Sequence, residues 1–152
     1  MRYYADTSWW LGYKCQQDVQ HSAAVTLFDC DPDAEVIWTP WQRVEVFNGF
    51  GQAERAKLLA KGESRQLIRL VEQEVRLGYW PHVEFDWIDA IRTAGELRAE
   101  HSLKFAIRAM DLFHVAIAIE TGAEKLLSFD RNQITLAEEA GLSVMKLAAK
   151  DK

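Results

Sequence analysis

The sequence predicts an α/β fold, a three-layer α/β/α sandwich on a mainly parallel central sheet. Three observations carry this. Short apolar runs of strand length alternate with segments of helical periodicity, the arrangement that supplies crossover connections between parallel strands. The segment MDLFHVAIAIETG is apolar nearly all round, which marks a buried central helix. The chain of 152 residues, 49% hydrophobic, is long enough for one well-buried core and short for two. Residues 1–147 are therefore read as a single domain and 148–152, AAKDK, as a frayed C-terminal tail.

The elements follow in order. RYYAD (Arg2 to Asp6) is a first strand opening into a helix whose N-cap is Thr7 or Ser8. Residues from Trp9 to Phe28 read as two short helices, and DCDPD (Asp29 to Asp33) as a turn. EVIW (Glu35 to Trp38) is a second strand. Thr39-Pro40-Trp41-Gln42 then combines a capping threonine, a first-turn proline and a glutamine three positions on, which starts a helix at Pro40. That helix carries Trp41, Val44 and Phe47 on one face and runs to about Leu59 or Ala60. Another spans Ser64 to Leu77 and stops at Gly78-Tyr79-Trp80-Pro81, with a short strand near His82 to Phe85. Trp87, Ile88, Ile91, Ala94 and Leu97 keep helical spacing ahead of the apolar helix that ends at Gly122. KLLSFD (Lys125 to Asp130) is a core strand, Asn132 to Ala140 a helix stopped by Gly141, and LSVMKL (Leu142 to Leu147) the last strand.

Composition narrows the function. A net charge of −5 disfavours non-specific coating of DNA, which draws its affinity from many Lys and Arg neutralising phosphates. It is compatible with a nuclease, whose site collects carboxylates around divalent metal. Cys15 and Cys30 lack metal-ligand spacing and read as reduced, partly buried thiols. There is no signal-peptide core before Asp6 and no stretch of membrane-spanning length, so the expected compartment is the cytoplasm. GxSxG, CxxC and HExxH motifs are missing, as are the GxGxxG and GxxxxGK[ST] phosphate loops. A phosphoaspartate enzyme of the DxDx[TV] type would need an acid where Ser8 stands.

Four acids stand out. Asp6 and Asp130 each follow an apolar strand, and the carboxyl ends of parallel strands line the crevice where ligands bind. Asp111 is the acid in the first turn of the buried helix, near its positive end but among apolar neighbours. Glu45 lies between Val44 and Val46, about one and a half turns into its helix. Each has an ordinary reading as a cap, turn or solvated helix residue. Together in one crevice they would repel one another, and a divalent cation bound by oxygen, Mg²⁺ or Mn²⁺ rather than Zn²⁺, resolves that repulsion.

The ordered segments YADTSWWL, PWQRVEVFNGF, RAMDLFHVAIA and LLSFDRNQITLAEEAGLSV resemble the PIN-domain ribonucleases and, by length, the VapC-type toxins of bacterial toxin–antitoxin pairs. The resemblance runs from Tyr3 to about Leu147. It implies that Asp6, Glu45, Asp111 and Asp130 are the catalytic, metal-binding acids holding one or two Mg²⁺ or Mn²⁺ ions. Thr7 or Ser8 and Ser128 match the hydroxyl positions beside them, Ser128 standing where the family usually has threonine. Asn132 matches a more variable position and orients water or phosphate or caps the last helix. The implied activity is hydrolysis of RNA phosphodiesters by a toxin that inhibits translation or growth. Implied partners are the RNA substrate, a cognate antitoxin and a second copy of the chain in a homodimer, with no membrane.

Two other readings stay open at the level of sequence: a non-catalytic PIN-like module that binds RNA or protein, and a housekeeping PIN nuclease without antitoxin. His114, one turn after Asp111, reads as a structural histidine satisfied by a local hydrogen bond. Arg43, Arg108 and Arg131 flank the acids and either contact RNA phosphates or pair with neighbouring carboxylates. Trp9, Trp10, Trp38 and Trp41 are core residues by default; exposed aromatics can stack on unpaired bases or anchor a peptide, and if several are exposed together the resemblance implies an antitoxin groove.

Overall fold

In the computed structural model, which describes residues 1–147, the first strand, β1 (Arg2–Ala5), is the centre of the fold. It pairs in parallel with β2 (Glu35–Ile37) on one side, Tyr3 opposite Val36, and with β3 (Lys125–Leu127) on the other, Tyr4 opposite Leu126. The strand β4 (Ser143–Val144) extends β3, so the sheet is four-stranded and parallel throughout, in the order β2-β1-β3-β4.

Alternation along the strands sends successive side chains to opposite faces and splits the core in two. Tyr3, Val36 and Leu127 join Trp9 and Trp10 of α1 (Thr7–Lys14), Val46 and Phe50 of α4 (Pro40–Arg55) and Val71 of α5 (Glu63–Arg76). Tyr4, Ile37 and Leu126 join Ala90 and Leu97 of α6 (Trp87–His101), Val115 and Ile117 of α7 (Ala109–Glu120) and Leu136 of α8 (Arg131–Glu139). Helices thus cover both faces, and the architecture is the expected α/β/α sandwich. Two short helices, α2 (His21–Val25) and α3 (Leu27–Cys30), fill the connection before β2.

Local differences from the sequence reading have identifiable causes. The cap of α1 is Asp6, whose carboxylate accepts from the Trp9 N–H, so the helix begins at Thr7. Likewise Asp130 caps α8, which begins at Arg131. The single turn α3 takes in Asp29 and Cys30, leaving only the end of DCDPD as a turn. The fourth helix stops at Arg55 because Lys57 adopts a left-handed φ of 62°. Its buried face is Gln42, Val46, Phe50 and Ala53, whereas Val44 is 60% exposed. A glutamine sits in that stripe because it is satisfied there: Gln42 accepts the Thr39 N–H at 2.7 Å and donates to the Ala5 carbonyl at 2.5 Å.

The inner face of α6 is similarly Ala90, Leu97 and His101, with Ile88 70% exposed and Ile91 also turned outward. Strands β2, β3 and β4 are shorter than the apolar runs that announce them, and near His82 there is only a bridge to Trp38. Cys15 is buried and Cys30 exposed, rather than both half-buried, and both are free thiols. The tail 148–152 lies outside the described residues. Among the described residues no helix is long and apolar enough to cross a membrane.

Candidate functional site

The chain leaves β1 toward β2 on one side, while β3 leads through α8 to β4 on the other. The carboxyl ends of β1 and β3 therefore flank a topological switch point, where an open parallel sheet leaves a crevice. Asp6 and Asp130 stand there, after β1 and shortly after β3. They line a pocket of about 300 Å³ together with Glu45 and Asp111, so one cavity receives all four acids.

Asp6 is 3% exposed and fully engaged. One carboxylate oxygen accepts from the Ser8 hydroxyl (2.7 Å) and the Trp9 N–H (3.0 Å), the other from the Ser128 hydroxyl (2.6 Å) and the Gln133 amide (2.9 Å). Burial pushes its pKa up, opposed by the nearby His114 and by the hydroxyl and backbone donors. The Ser128 hydroxyl also accepts the Asp130 N–H at 3.0 Å, tying the two strand ends together behind the pocket.

Asp130 and Asp111 share a cation. Asp130 Oδ1 caps α8 by accepting the N–H groups of Asn132 (2.9 Å) and Gln133 (3.2 Å), and its Oδ2 accepts from Arg108 Nη2 at 2.8 Å. Asp111 Oδ2 accepts the Arg108 backbone N–H at 2.9 Å and lies 3.4 Å from Arg108 Nε. One guanidinium thus spans carboxylates from two separate elements.

Glu45 is held differently. Its Oε2 accepts from the Thr7 hydroxyl at 2.6 Å and from His114 Nε2. The other imidazole nitrogen is paired with the buried Tyr4 hydroxyl at 2.8 Å. Burial raises the Glu45 pKa, but the His114 and Thr7 hydrogen bonds and the positive charge of Arg108 outweigh it and leave the carboxyl below its usual range. Burial first, then Asp6 and Glu45, drive the Tyr4 pKa far up, so this phenol stays protonated.

Comparison with known proteins identifies the architecture. The family model of the PIN domain matches residues 3–139. The chain belongs to the PIN-domain family. Solved structures share the fold at low identity. VapBC2 from Rickettsia felis, solved with a DNA fragment from its promoter, is 17% identical with a TM-score of 0.65, over 97% of this chain and 100% of that one. VapBC-1 from nontypeable Haemophilus influenzae is 13% identical with a TM-score of 0.65, over 96% and 98%. Mycobacterium tuberculosis VapC20, a sarcin–ricin loop cleaving toxin, is 17% identical with a TM-score of 0.65, over 92% and 95%. Comparison with curated protein sequences gave no match.

Within this PIN domain, the residues singled out in the sequence separate by position. Thr7 and Ser8 line the pocket with the four acids, and Ser128 braces it from behind. Asn132 contributes its backbone N–H to Asp130, which takes the capping role itself. His114 lines the pocket and bonds to residues far away in sequence, beyond the local role read for it. Arg43 pairs with Glu72 instead of an acid of the pocket. Gln133 and Tyr4 escaped sequence reasoning. The place of Gln133 three residues after the capping Asp130 is that of Gln42 after Thr39, but where Gln42 accepts from the Thr39 N–H, the Gln133 amide donates across to Asp6.

Trp9, Trp10 and Trp38 are completely buried, with edge-to-face ring contacts of 5.2 Å and 5.1 Å, so they pack the core and form no groove. Trp87, stacked on Phe113 at 6.0 Å, and Tyr79 are aromatic residues that do reach the surface.

The four carboxylates and two hydroxyls that line the pocket, beside a His114 already bonded to Glu45 and Tyr4, suit Mg²⁺ or Mn²⁺ better than a softer metal. Among the described residues, no three His, Cys, Asp or Glu side chains converge closely enough to hold a metal ion as they stand. Their engagements explain this, since Asp111 and Asp130 are drawn onto Arg108 and Glu45 onto His114 and Thr7. The chemistry of the donors fits a divalent cation.

Proposed function

We propose that this PIN-domain protein is a Mg²⁺- or Mn²⁺-dependent endoribonuclease and the toxin of a toxin–antitoxin pair, with Asp6, Glu45, Asp111 and Asp130 as its catalytic, metal-binding acids. The observation that carries this reading is the convergence of four carboxylates from four elements on one pocket at the sheet's switch point. Asp6 and Asp130 also cap helices, but capping does not require four carboxylates around one pocket, and such a concentration of negative charge favours a bound cation.

A divalent cation supplies Lewis-acid stabilisation of the phosphate and lowers the pKa of an attacking water. The protein's own groups prepare the place. Ser8, Trp9, Ser128 and Gln133 fix the Asp6 carboxylate. Thr7 and His114 both donate to Glu45 Oε2, so its Oε1, without a donor among the described residues, is available to the pocket. The buried side of the site keeps these groups in one geometry, which is how preorganised electrostatics acts.

The partner assignment draws on the fold shared with VapBC complexes and on the sequence resemblance: a cognate antitoxin covers the toxin, two copies of which form a homodimer, in the cytoplasm. The test is incubation of the partner-free protein with total cellular RNA in Mg²⁺, Mn²⁺ or EDTA, beside Asp6→Asn, followed by sequencing of cut ends. Metal-dependent cuts at defined sites, absent in the variant, are expected. Intact RNA in every lane would replace the nuclease by a binding module of the same fold.

A further inference from the structure

Arg108 is the one Lys or Arg among the residues that line the pocket, and its position is unusual. Its side chain is 73% exposed, yet the guanidinium bonds to two carboxylates that are themselves largely buried, Asp111 at 4% and Asp130 at 27% side-chain exposure. It enters from the segment ahead of α7, as the residue preceding that helix's first turn. Among the described residues the hydrogen-bond partners of the guanidinium are these two carboxylates. A long side chain anchored only by its charge partners is readily displaced by a competing cation, since exposed pairs contribute little.

We propose that Arg108 is a built-in counter-ion that competes with the divalent cation for Asp111 and Asp130, and that, once displaced, it binds the phosphate backbone of the RNA. This rests on the metal-dependent reading above. The first half follows from shared ligands: Asp130 Oδ2 and Asp111 Oδ2 cannot serve the guanidinium and a metal ion in the same geometry. The second half follows from charge. A phosphodiester approaching four carboxylates is repelled, and the guanidinium at the rim offers the planar pair of donors that matches phosphate oxygens. The same side chain thus shields the acids before metal arrives and attracts the substrate afterwards.

The test measures two constants that move in opposite directions. Mn²⁺ binding is followed by calorimetry for the wild type, Arg108→Gln and Arg108→Lys, and cleavage of a single-stranded RNA is then followed at saturating Mn²⁺. Losing the two ion pairs should tighten Mn²⁺ binding of Arg108→Gln roughly five- to tenfold, the scale expected for partly exposed pairs. Its KM for RNA should rise with kcat much less affected, and the lysine variant, which keeps the charge without the planar fork, should fall between on both scales. Equal or weaker Mn²⁺ affinity in Arg108→Gln overturns the competition, with the nuclease reading intact. An unchanged KM overturns the phosphate contact. No Mn²⁺ binding by any of the three proteins, with cleavage insensitive to EDTA, overturns the metal reading and this inference with it.

Discussion

Replacing Asp6 in two ways separates its structural from its chemical role. Four donors converge on its buried carboxylate: the Ser8 and Ser128 hydroxyls, the Trp9 N–H and the Gln133 amide. Asparagine can keep most of these contacts. Its oxygen faces Trp9 and Ser8, its amide faces a Ser128 hydroxyl able to rotate, and Gln133 can turn its own amide to present oxygen. It also removes the cost of burying a charge, the effect that pushes the Asp6 pKa up. Asp6→Asn should therefore change stability by less than about 1 kcal/mol. Alanine leaves the donors facing a void and removes the cap of α1, so Asp6→Ala should cost about 3 kcal/mol or more. At about 2–4 °C per kcal/mol for a domain of this size, the melting points should differ by roughly 5 °C or more. Thermal unfolding, with RNA cleavage measured on the same samples, checks both halves, and neither variant should cut. An alanine variant as stable as wild type would refute the hydrogen-bond account, and wild-type cleavage by the folded asparagine variant would refute the chemical one.

Other expectations follow from the same geometry. Tyr4→Phe strips His114 Nδ1 of its 2.8 Å partner inside the core, and urea denaturation should show a loss of about 1–3 kcal/mol. Glu45 has a carboxyl pKa below its ordinary 4.5, so its stabilising contribution is present above that value and is lost as the pH falls through the lower folded-state pKa. Between about pH 5 and pH 3, Glu45→Gln should accordingly lose less stability than wild type, measured as urea midpoints at each pH. Gly51 in α4 and Gly95 in α6 have open space where a Cβ would stand and ordinary backbone angles. Alanine at either should stabilise by roughly 0.5–1 kcal/mol, read as a higher melting point.

The layers and the parallel sheet were legible because alternating strands and helices leave few arrangements, and the buried α7 was legible because its sequence is apolar on every side. Asp6 and Asp130 were legible as pocket residues because each closes an apolar run, YYA or LLSF, where a carboxylate is conspicuous. What holds them was harder to see. Gln42 and Gln133 are buried polar residues whose partners, the Ala5 carbonyl and the Asp6 carboxylate, lie far away in sequence. A hydrophobic pattern counts such glutamines as surface, so the spacing of Trp41, Val44 and Phe47 misses the stripe of Gln42, Val46, Phe50 and Ala53; Trp41 and Phe47 pack against the core beside it and Val44 faces outward. The same holds for Ile88 and Ile91, whose apolar character suggests burial although they face outward. The role of His114 is hidden from sequence for a related reason, since its partners Tyr4 and Glu45 meet it only after β1, α4 and α7 pack.

Four carboxylates persist around one pocket because each is balanced locally, and the balance follows from where each sits on its helix. Asp6 and Asp130 cap α1 and α8, and Asp111 occupies the first turn of α7, where its carboxylate bonds back to the Arg108 N–H. All three face the positive end of a helix dipole and accept backbone N–H groups there, a contribution of about 0.3–1 kcal/mol each from the dipole alone. Glu45 lies in the interior of α4, where no helix end supports it, and it is the acid that bonds to a histidine. The imidazole therefore supplies at Glu45 what helix geometry supplies at the other three. This division explains how the site folds with its charges in place, and it implies that His114 is replaceable for folding only together with Glu45. His114→Phe alone should destabilise the protein more than the double variant His114→Phe, Glu45→Leu, because the single change leaves a half-buried carboxylate without its strongest partner. Equal stabilities of the two variants in urea would show that Thr7 alone satisfies Glu45.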